Sequence, residues 1–429
     1  MRYPSIPNRL FIRNRKNFTG QMKENSVAVF FSNDQSPRNG DQFHPFRQQS
    51  DFFYLTGIDQ EKSILILAPG CPNKSHREAL FILKTNTVIE TWEGHKYTME
   101  EATRISGIEH VFWLEDFDVF LKEVMSFMNN IYLNGNEYAK FLPDVETREI
   151  RLGKGLKAQF PFHSYHRSAP LLTNLRLIKS KEEIALIKKS CEITQKAFRR
   201  ILRTTQPGMM EYEVEAEITY EFIRNGASGH AYAPIVASGK SACVLHYVEN
   251  DKKCKKGDLL LMDFGSEYAN YSADLSRTIP VSGKFTQRQK EVYNAVLRAM
   301  KEVKKMYIPG STIQDINDAT GDLIEQELIK LGLLNKKDVE NQPADSPLYK
   351  KYFMHGTAHF MGLDVHDVGS KFETLQPGMV LTCEPGIYIP EENIGVRIEN
   401  DILITEHEPE DLMEGFPIEA EEIEELMNE

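Results

Sequence analysis

Three histidines lie within the short segment HGTAHFMGLDVH, which runs from His355 to His366. The segment approaches the zinc-protease motif H-E-x-x-H-x-x-G-x-x-H, in which histidines one helical turn apart bind the metal. Gly356 stands where that motif has its catalytic glutamate, and His366 comes one residue too late. The spacing therefore does not predict a three-histidine zinc site, and any metal bound here needs ligands from elsewhere in the chain.

The segment DLLLMDFGSEYANYSADLSRTI (258–279) predicts a β-hairpin that carries an aspartate on each strand. If the turn is at Tyr268 and Ala269, facing residues have numbers that add to 537. Asp263 and Asp274 satisfy that sum, which would set their Cβ atoms roughly 4.5–5.5 Å apart. Two carboxylates that close require a proton or a cation between them. The alternative is an exposed hairpin with solvated aspartates, but the apolar run before Asp263 favours burial.

The segment LTCEPGIYIPEENIGVRIENDILIT (381–405) repeats this arrangement with glutamates. A turn centred on residues 391–392 makes facing numbers add to 783, and Glu384 and Glu399 satisfy that sum. Arg397 lies two residues from Glu399, hence on the same face of the strand. It would hold a ligand carboxylate in place, or it forms a surface ion pair of little energetic value.

Four carboxylates with one imidazole would form an oxygen-rich site. Such a site suits Mn²⁺, or Co²⁺ and Fe²⁺, better than it suits a thiolate or three-histidine zinc centre. So many anions call for two divalent ions that share bridging carboxylates and a hydroxide. Only one histidine then needs to be a ligand. His246, His355 and His366 are either further site residues or satisfied core histidines, and spacing alone leaves both readings open.

The chain length predicts two domains, because 429 residues exceed the usual size of one hydrophobic core. Residues 1–172 predict a mixed α/β domain, and residues 173–429 form the second domain, with the boundary near Leu172. The predicted elements of the first domain are strands at 25–32, 62–68, 78–84 and 131–135 and a helix from Asp116 to Met128.

The second domain has the layout of a duplicated α+β unit. Each half has two helices around a Pro-Gly pair, then a histidine, then a glycine six residues before an acid. Ser180 and Glu183 form a capping box that begins the first helix. A pseudo-twofold arrangement of the halves would bring both acid pairs to one site between them. The predicted helices are 181–204, 211–225, 286–306 and 311–331.

The composition is that of an ordinary soluble globular protein, with 41% hydrophobic and 27% charged residues. No stretch approaches the roughly 20 apolar residues of a membrane helix. The five cysteines are scattered and include no CxxC pair. This usage is typical of a reducing compartment and predicts the cytoplasm.

The net charge of −12 comes almost entirely from the C-terminal tail, where residues 405–429 carry 11 acids and no Lys or Arg. The remaining chain is nearly neutral and has no basic stripe, which argues against nucleic acid as a partner. The tail itself is either solvated or forms a short docked helix, because Ile423, Leu426 and Met427 share one helical face.

The motifs LLLMDFG, ADLSRT, HGTAHFMGLDVHD, EPGIYI and GVRIEND resemble those of the pita-bread metallopeptidases, the fold shared by methionine aminopeptidase, aminopeptidase P and prolidase. The resemblance covers essentially the whole chain and implies a dinuclear metal site. Asp274 and Glu399 would bridge both ions. Asp263 would complete the ligands of one ion, and His359 with Glu384 would complete those of the other.

The first domain resembles one branch of this family. RQQSDFFYLTGI (47–58) and TWEGHKYTMEEA (91–102) are similar to stretches of the creatinase-like N-terminal domain of aminopeptidase P, which methionine aminopeptidases lack. VASGKSACVLHYVEND (236–251) is of the aminopeptidase P and prolidase type. PIEAEEIEELM is similar to the closing helix of the family, which favours the docked tail.

An aminopeptidase P removes the first residue of a peptide whose second residue is proline. The resemblance implies attack by a hydroxide that bridges two metal ions, most simply Mn²⁺. Glu384 would carry the proton to the departing proline nitrogen. His246 and His366 would orient the substrate and stabilise the oxyanion, and His355 would line the proline pocket.

Tyr232 and Trp92 are candidates for the wall of the substrate pocket, although an aromatic residue at either position is often simple packing. Enzymes of this family are often homo-oligomers, so we expect a dimer or tetramer in which a neighbour's Trp92 narrows the cleft.

Two alternatives remain. A prolidase would need a cation for the free carboxylate of its dipeptide, and the loop VGSKFETLQPGM (368–379) offers only Lys371. A non-catalytic peptide-binding module would lack metal ligands, whereas the set here is complete.

Overall fold

The computed structural model describes residues 2–138, 140–141 and 143–429. The chain forms two compact units. The N-terminal unit is Pro4–Arg176, and the C-terminal unit is Leu177–Glu429 together with the residues before Pro4. The predicted boundary at Leu172 lies inside the helix Ala169–Leu177, and the division follows Arg176. Among the described residues, no helix combines the length and the apolar character that a membrane span requires.

The N-terminal unit contains a six-stranded mixed sheet with the strand order β4-β3-β2-β1-β5-β6. The apolar run SVAVFF makes β1 a fully buried strand, because neighbouring elements cover both of its faces. The four predicted strands and the predicted helix are confirmed. The strands are β1 (Ser26–Phe31), β2 (Ile64–Leu67), β3 (Glu78–Ile82), β4 (Val111–Trp113), β5 (Asn130–Leu133) and β6 (Ser164–Arg167). The helices are α1 (Arg9–Thr19), α2 (Ser50–Thr56), α3 (Thr87–Glu93), α4 (Met99–Ser106), α5 (Phe117–Met125), α6 (Arg148–Gln159) and α7 (Ala169–Leu177).

The C-terminal unit begins with the helix α8, where Ser180 and Glu183 form the predicted capping box. Three further long helices occupy the predicted positions, so two helices precede the strands in each half of the unit. The helices are α8 (Lys181–Thr204), α9 (Glu211–Arg224), α10 (Gln287–Val303), α11 (Ile313–Lys330), α12 (Lys336–Glu340) and α13 (Ala420–Met427).

Antiparallel strands follow the helices in each half, as the duplicated layout predicts. The sheet orders are β11-β10-β7, β12-β9-β8, β13-β16-β17 and β14-β15. The strands are β7 (Gly229–His230), β8 (Ile235–Ser238), β9 (Leu259–Asp263), β10 (Ser266–Tyr268), β11 (Tyr271–Ser272), β12 (Ser276–Pro280), β13 (Val380–Cys383), β14 (Gly386–Ile389), β15 (Ile394–Arg397), β16 (Asn400–Leu403) and β17 (Glu410–Asp411).

The register predicted for the first hairpin is wrong. Asp263 faces Ser276 rather than Asp274. The turn lies one residue later than expected, at Ala269 and Asn270, whose φ angles are 52° and 66°. A two-residue turn with both φ angles positive matches the twist of the flanking strands, and asparagine tolerates this conformation. Because the register shifts by two residues, Asp274 stays on the same face as Asp263 but diagonally across the hairpin.

The register predicted for the second hairpin is confirmed. Gly386 faces Arg397, and Cys383 faces Asn400, so the numbers add to 783 on both sides of the glutamates. Glu384 and Glu399 therefore occupy opposing positions between the two ladders.

The acidic tail ends in a helix that packs against the C-terminal unit. This confirms the prediction of a docked helix and not that of a solvated tail. Ala420 and Ile423 are fully buried. The Glu424 carboxylate accepts a hydrogen bond from the backbone N–H of Phe285, at 2.9 Å, and one from Lys290, at 3.2 Å.

Arg277 on β12 joins the two hairpins and the tail of the C-terminal unit. Its side chain is fully buried. The guanidinium donates to the backbone carbonyl oxygens of Glu399, at 2.7 Å, and Pro417, at 3.0 Å, and to Oδ1 of Asn400, at 2.7 Å. One side chain of the first hairpin thus bonds to acceptors in two other segments, the second hairpin and the tail.

We expect Arg277→Met to destabilise the C-terminal unit by at least about 2 kcal/mol, because it leaves several buried acceptors unpaired. The measurement is the midpoint of thermal unfolding at one fixed scan rate. Arg298→Met, at a largely exposed arginine, is the control. Equal midpoints for the two variants would contradict the structural role of Arg277.

Candidate metal centre

Two hairpins deliver four carboxylates to one place in the C-terminal unit. Asp263 ends β9, and Asp274 stands two residues before β12. Glu384 directly follows β13, and Glu399 directly precedes β16. The two hairpins are joined at this point, because the backbone N–H of Glu399 donates to the carbonyl oxygen of Ser276 at 3.0 Å.

His359 completes a cluster of groups that could bind a metal. Asp274, His359 and Glu399 each offer one ligand atom, and these atoms all lie within 4.8 Å of one another. Nε2 of His359 is 3.4 Å from Oδ2 of Asp274 and 3.8 Å from Oε1 of Glu384. Nδ1 lies 3.1 Å from the carbonyl oxygen of Phe360, a pure acceptor, so we assign the ring proton to Nδ1. Nε2 is then the nitrogen that faces the carboxylates, and it would become a metal ligand on losing its proton.

Tyr232 contacts the carboxylates rather than only lining a pocket. Its hydroxyl is 2.6 Å from Oδ1 of Asp263 and also contacts Oδ1 of Asp274. Burial and the two neighbouring carboxylates raise the pKa of Tyr232 well above its usual value. The phenol therefore keeps its proton and serves as a donor that the aspartates share.

Arg397 is buried and pairs with a member of the cluster, so it is not a surface ion pair. Nη2 donates to Oδ2 of Asp263 at 2.7 Å. Nε donates to Oγ of Ser276 at 2.8 Å, and Nη1 donates to the hydroxyl of Tyr388 at 2.9 Å. The planar guanidinium thus sets the orientation of three side chains at once.

The electrostatics of the cluster show an excess of negative charge. Burial raises the pKa of Glu384 to about 7, although His359 and Arg397 act against that rise. Burial and the nearby Asp274 raise the pKa of Glu399 well above its usual value. Burial alone would lower the pKa of His359, but the bond to Asp274 and the charge of Glu384 raise it to about 9. Each shift favours added positive charge at the site, which is the condition that divalent cations satisfy.

The other predicted histidines occupy different positions. His355 lies beside the cluster, with Nδ1 3.7 Å from Oε2 of Glu384 and Nε2 2.8 Å from the hydroxyl of Tyr388. Burial lowers the pKa of His355 to about 3, so its ring is neutral. His366 is exposed, with its ring centroid 4.5 Å from that of His359. His246 is exposed on the segment after β8, near enough to His355 to contribute to lowering its pKa.

Trp92 lies on α3 of the N-terminal unit, and 85% of its surface is exposed. In a single chain, Trp92 is therefore a surface residue and not part of the packed core.

Sequence reasoning missed two residues that support the cluster. Ser276 donates to Oε2 of Glu399 at 2.7 Å. Asp401 accepts a hydrogen bond from the backbone N–H of Asp274, at 3.1 Å, through Oδ2. The correct register would have indicated Ser276, because it faces Asp263 across the first hairpin. No local pattern marks Asp401, whose partner lies in the other half of the unit.

Comparisons with known proteins identify the family of this chain. Residues 185–406 match Metallopeptidase family M24, and residues 11–132 match Aminopeptidase P, N-terminal domain. The Xaa-Pro aminopeptidase of Escherichia coli strain K12 is 37% identical over 430 residues, covering 97% of each chain. That of Haemophilus influenzae is 36% identical, covering 99% of this chain and 98% of the relative. The structure of aminopeptidase P from E. coli with the inhibitor Pro-Leu superposes with a TM-score of 0.88, at 34% identity and 99% coverage of both chains. This chain belongs to metallopeptidase family M24 and carries the N-terminal domain of aminopeptidase P.

Proposed function

We propose that this protein is an Xaa-Pro aminopeptidase, which hydrolyses the first peptide bond of peptides that have proline in the second position. The cluster of four carboxylates around His359, two of them buried and two half-buried, carries the proposal. Two curated relatives with this name match nearly the whole chain. The aminopeptidase P type of N-terminal domain also supports this branch of the family.

We propose two divalent metal ions, most simply Mn²⁺, as the cofactor. The donors fit such ions because they are mainly hard carboxylate oxygens, whereas thiolate sites favour other metals. His359 and Arg397 contact these carboxylates as cations, and their two charges do not balance four acids. A zinc-substituted form of the E. coli enzyme supports a divalent ion without deciding which one is native. The residues that would hold the ions are Asp263, Asp274, His359, Glu384 and Glu399.

Bound divalent ions would supply Lewis acidity and a water molecule that loses its proton at neutral pH. Glu384 would move the proton, because a carboxyl group with a pKa of about 7 both accepts and releases protons at that pH. Proline has no N–H and a fixed φ angle, so a protease that grips an extended backbone loses a donor at this residue. Direct attack on the carbonyl carbon does not need that donor.

The three other histidines would act on the substrate. His246 and His366 are exposed beside the cluster, where they would orient the peptide and stabilise the oxyanion. His355 is neutral and would line the proline pocket. The hydroxyl of Tyr232 would hold Asp263 and Asp274 in place. Trp92, on the N-terminal unit, would contribute to the cleft of a neighbouring subunit.

We also propose that the protein is cytoplasmic and forms a homo-oligomer. All five cysteines are unpaired, as is usual in a reducing compartment. The large exposed surface of Trp92 supports an association that covers it.

Metal dependence gives a direct test of the ligand set. Adding Mn²⁺ to chelator-treated protein should raise the melting temperature, because a ligand at 100 times its Kd stabilises by about 2.7 kcal/mol. Metal analysis should find two ions per chain, and Asp274→Asn and Glu399→Gln should abolish the stabilisation. Glu419→Gln, at an exposed acid paired with Lys301, is the control. Less than one ion per chain after manganese addition would instead support a non-catalytic peptide-binding module.

Peptide length separates the two candidate activities. We expect release of arginine from a peptide that begins Arg-Pro-Pro, and a rate lower by about 10-fold or more when alanine replaces the second residue. Product analysis by chromatography measures both. Cleavage confined to the dipeptide Gly-Pro would instead identify a prolidase.

Arg397 offers a test of orientation apart from charge. Arg397→Lys keeps the positive charge but cannot contact Asp263, Ser276 and Tyr388 together. We expect kcat/KM to fall by about 10- to 100-fold while the metal content stays at the wild-type level. Arg200→Lys, at a partly exposed ion pair, should have wild-type activity. Unchanged kcat/KM in Arg397→Lys would refute the orienting role.

A further inference from the structure

The segment that carries His246 is a loop that reaches the surface at the histidine. It joins β8 to β9 and begins with a short 3-10 turn, Gly239–Cys243. Val244, His246 and Val248 are exposed. A catalytic side chain on such a loop is accurate only where other groups hold the loop in place.

Glu211, the first residue of α9, holds both ends of this loop. Oε1 accepts hydrogen bonds from the backbone N–H of Ser238, at 2.7 Å, and from its hydroxyl, at 2.6 Å. Oε2 accepts one from the hydroxyl of Tyr247, at 2.7 Å, and one from the backbone N–H of Lys252, at 2.9 Å. The side chain is fully buried, so no water competes for these four bonds.

The partners of Glu211 lie on both sides of His246 in the sequence. Ser238 precedes His246, whereas Tyr247 and Lys252 follow it. One carboxylate therefore closes the loop at its base and also holds the residue next to the histidine. Tyr247 is itself buried, and its ring packs in a cluster that includes Tyr388, the partner of His355.

A second residue on the same face of α9 has a related contact. Glu215 lies one helical turn after Glu211 and accepts a hydrogen bond from Nδ2 of Asn250 at 2.8 Å. Oδ1 of Asn250 accepts one from the backbone N–H of Val236 at 2.9 Å. The helix thus presents a row of carboxylates to the loop, and Glu211 makes most of the bonds.

We propose that Glu211 is a positioning residue for His246: it holds the loop so that the imidazole reaches the peptide at the metal centre. The proposal rests on the proposed function, in which His246 contacts the substrate. It differs from a purely local role, in which Glu211 only stabilises the start of α9. Only the positioning role links the effect of Glu211 on catalysis to His246.

The test is a double-mutant cycle read as kcat/KM on an Arg-Pro-Pro peptide with Mn²⁺. Glu211→Gln keeps the size of the side chain but places an amide N–H₂ against donors. We expect it to lower kcat/KM by about 10- to 100-fold, with unchanged metal content. Glu211→Gln together with His246→Ala should be no slower than His246→Ala alone, because a displaced and a missing histidine lose the same contact. Losses that multiply in the double variant, or full activity of Glu211→Gln, would overturn the proposal.

Glu327→Gln is the matched control, since Glu327 is also buried but pairs with Arg298 and Lys330 on α10 and α11. It should keep wild-type kcat/KM. If Glu211→Gln does not fold, Tyr247→Phe takes its place in the cycle, because it removes the bond to Glu211 together with longer contacts to Asp251 and keeps the ring in place.

Amide hydrogen exchange measures how firmly the loop is held, and it does so independently of enzyme activity. Exchange in residues 244–252 should become faster in Glu211→Gln and stay unchanged in Glu327→Gln. Unchanged exchange in both variants would overturn the proposal. If the wild type cleaves no Xaa-Pro peptide, or His246→Ala is fully active, the proposed function or the role of His246 fails, and exchange still decides whether Glu211 holds the loop.

Discussion

Four carboxyl groups that are held together in a largely buried site can all be ionised only if positive charge is brought among them. The C-terminal unit is built around this constraint. Arg397 supplies one fixed positive charge beside Asp263, and the pKa of His359 rises to about 9 because carboxylates surround its ring. These two cations do not balance four acids. The remaining demand for positive charge is the physical reason that the cluster suits divalent metal ions.

The duplicated architecture meets this demand with backbone structure. Each half ends in a hairpin, and the hairpins are joined where Glu399 donates its N–H to Ser276. Arg277 adds hydrogen bonds between the halves and to the tail. The acids therefore cannot move apart to relieve their repulsion without breaking buried hydrogen bonds, each of which is costly to leave unmade. Like charges are held close enough to share cations because the surrounding backbone is rigid.

A continuous set of polar contacts connects the cluster to the residues around it. Arg397 joins Asp263 to Tyr388, and Tyr388 contacts His355. A change in the orientation of Asp263 would therefore alter the contacts of His355, which lies outside the proposed ligand set. Glu211 has the corresponding position for the loop of His246, through four hydrogen bonds of its own. Buried polar side chains thus fix the orientation of both the carboxylate cluster and the loop of His246.

The sequence alone was enough to determine the four long helices of the C-terminal unit, four of the six strands of the N-terminal sheet and the register of the second hairpin, because these depend on local periodicity and on turn residues. It also identified, through family motifs, the acids and the histidine that lie together in the cluster. The register predicted for the first hairpin is wrong because it places the turn at 268–269, although Asn270 is a local signal for a positive φ angle one position later. The contacts of Tyr232, Arg397 and Glu211 were decided only by the tertiary structure. Their partners lie tens to more than a hundred residues away, and no local pattern records which distant groups folding brings within hydrogen-bonding distance.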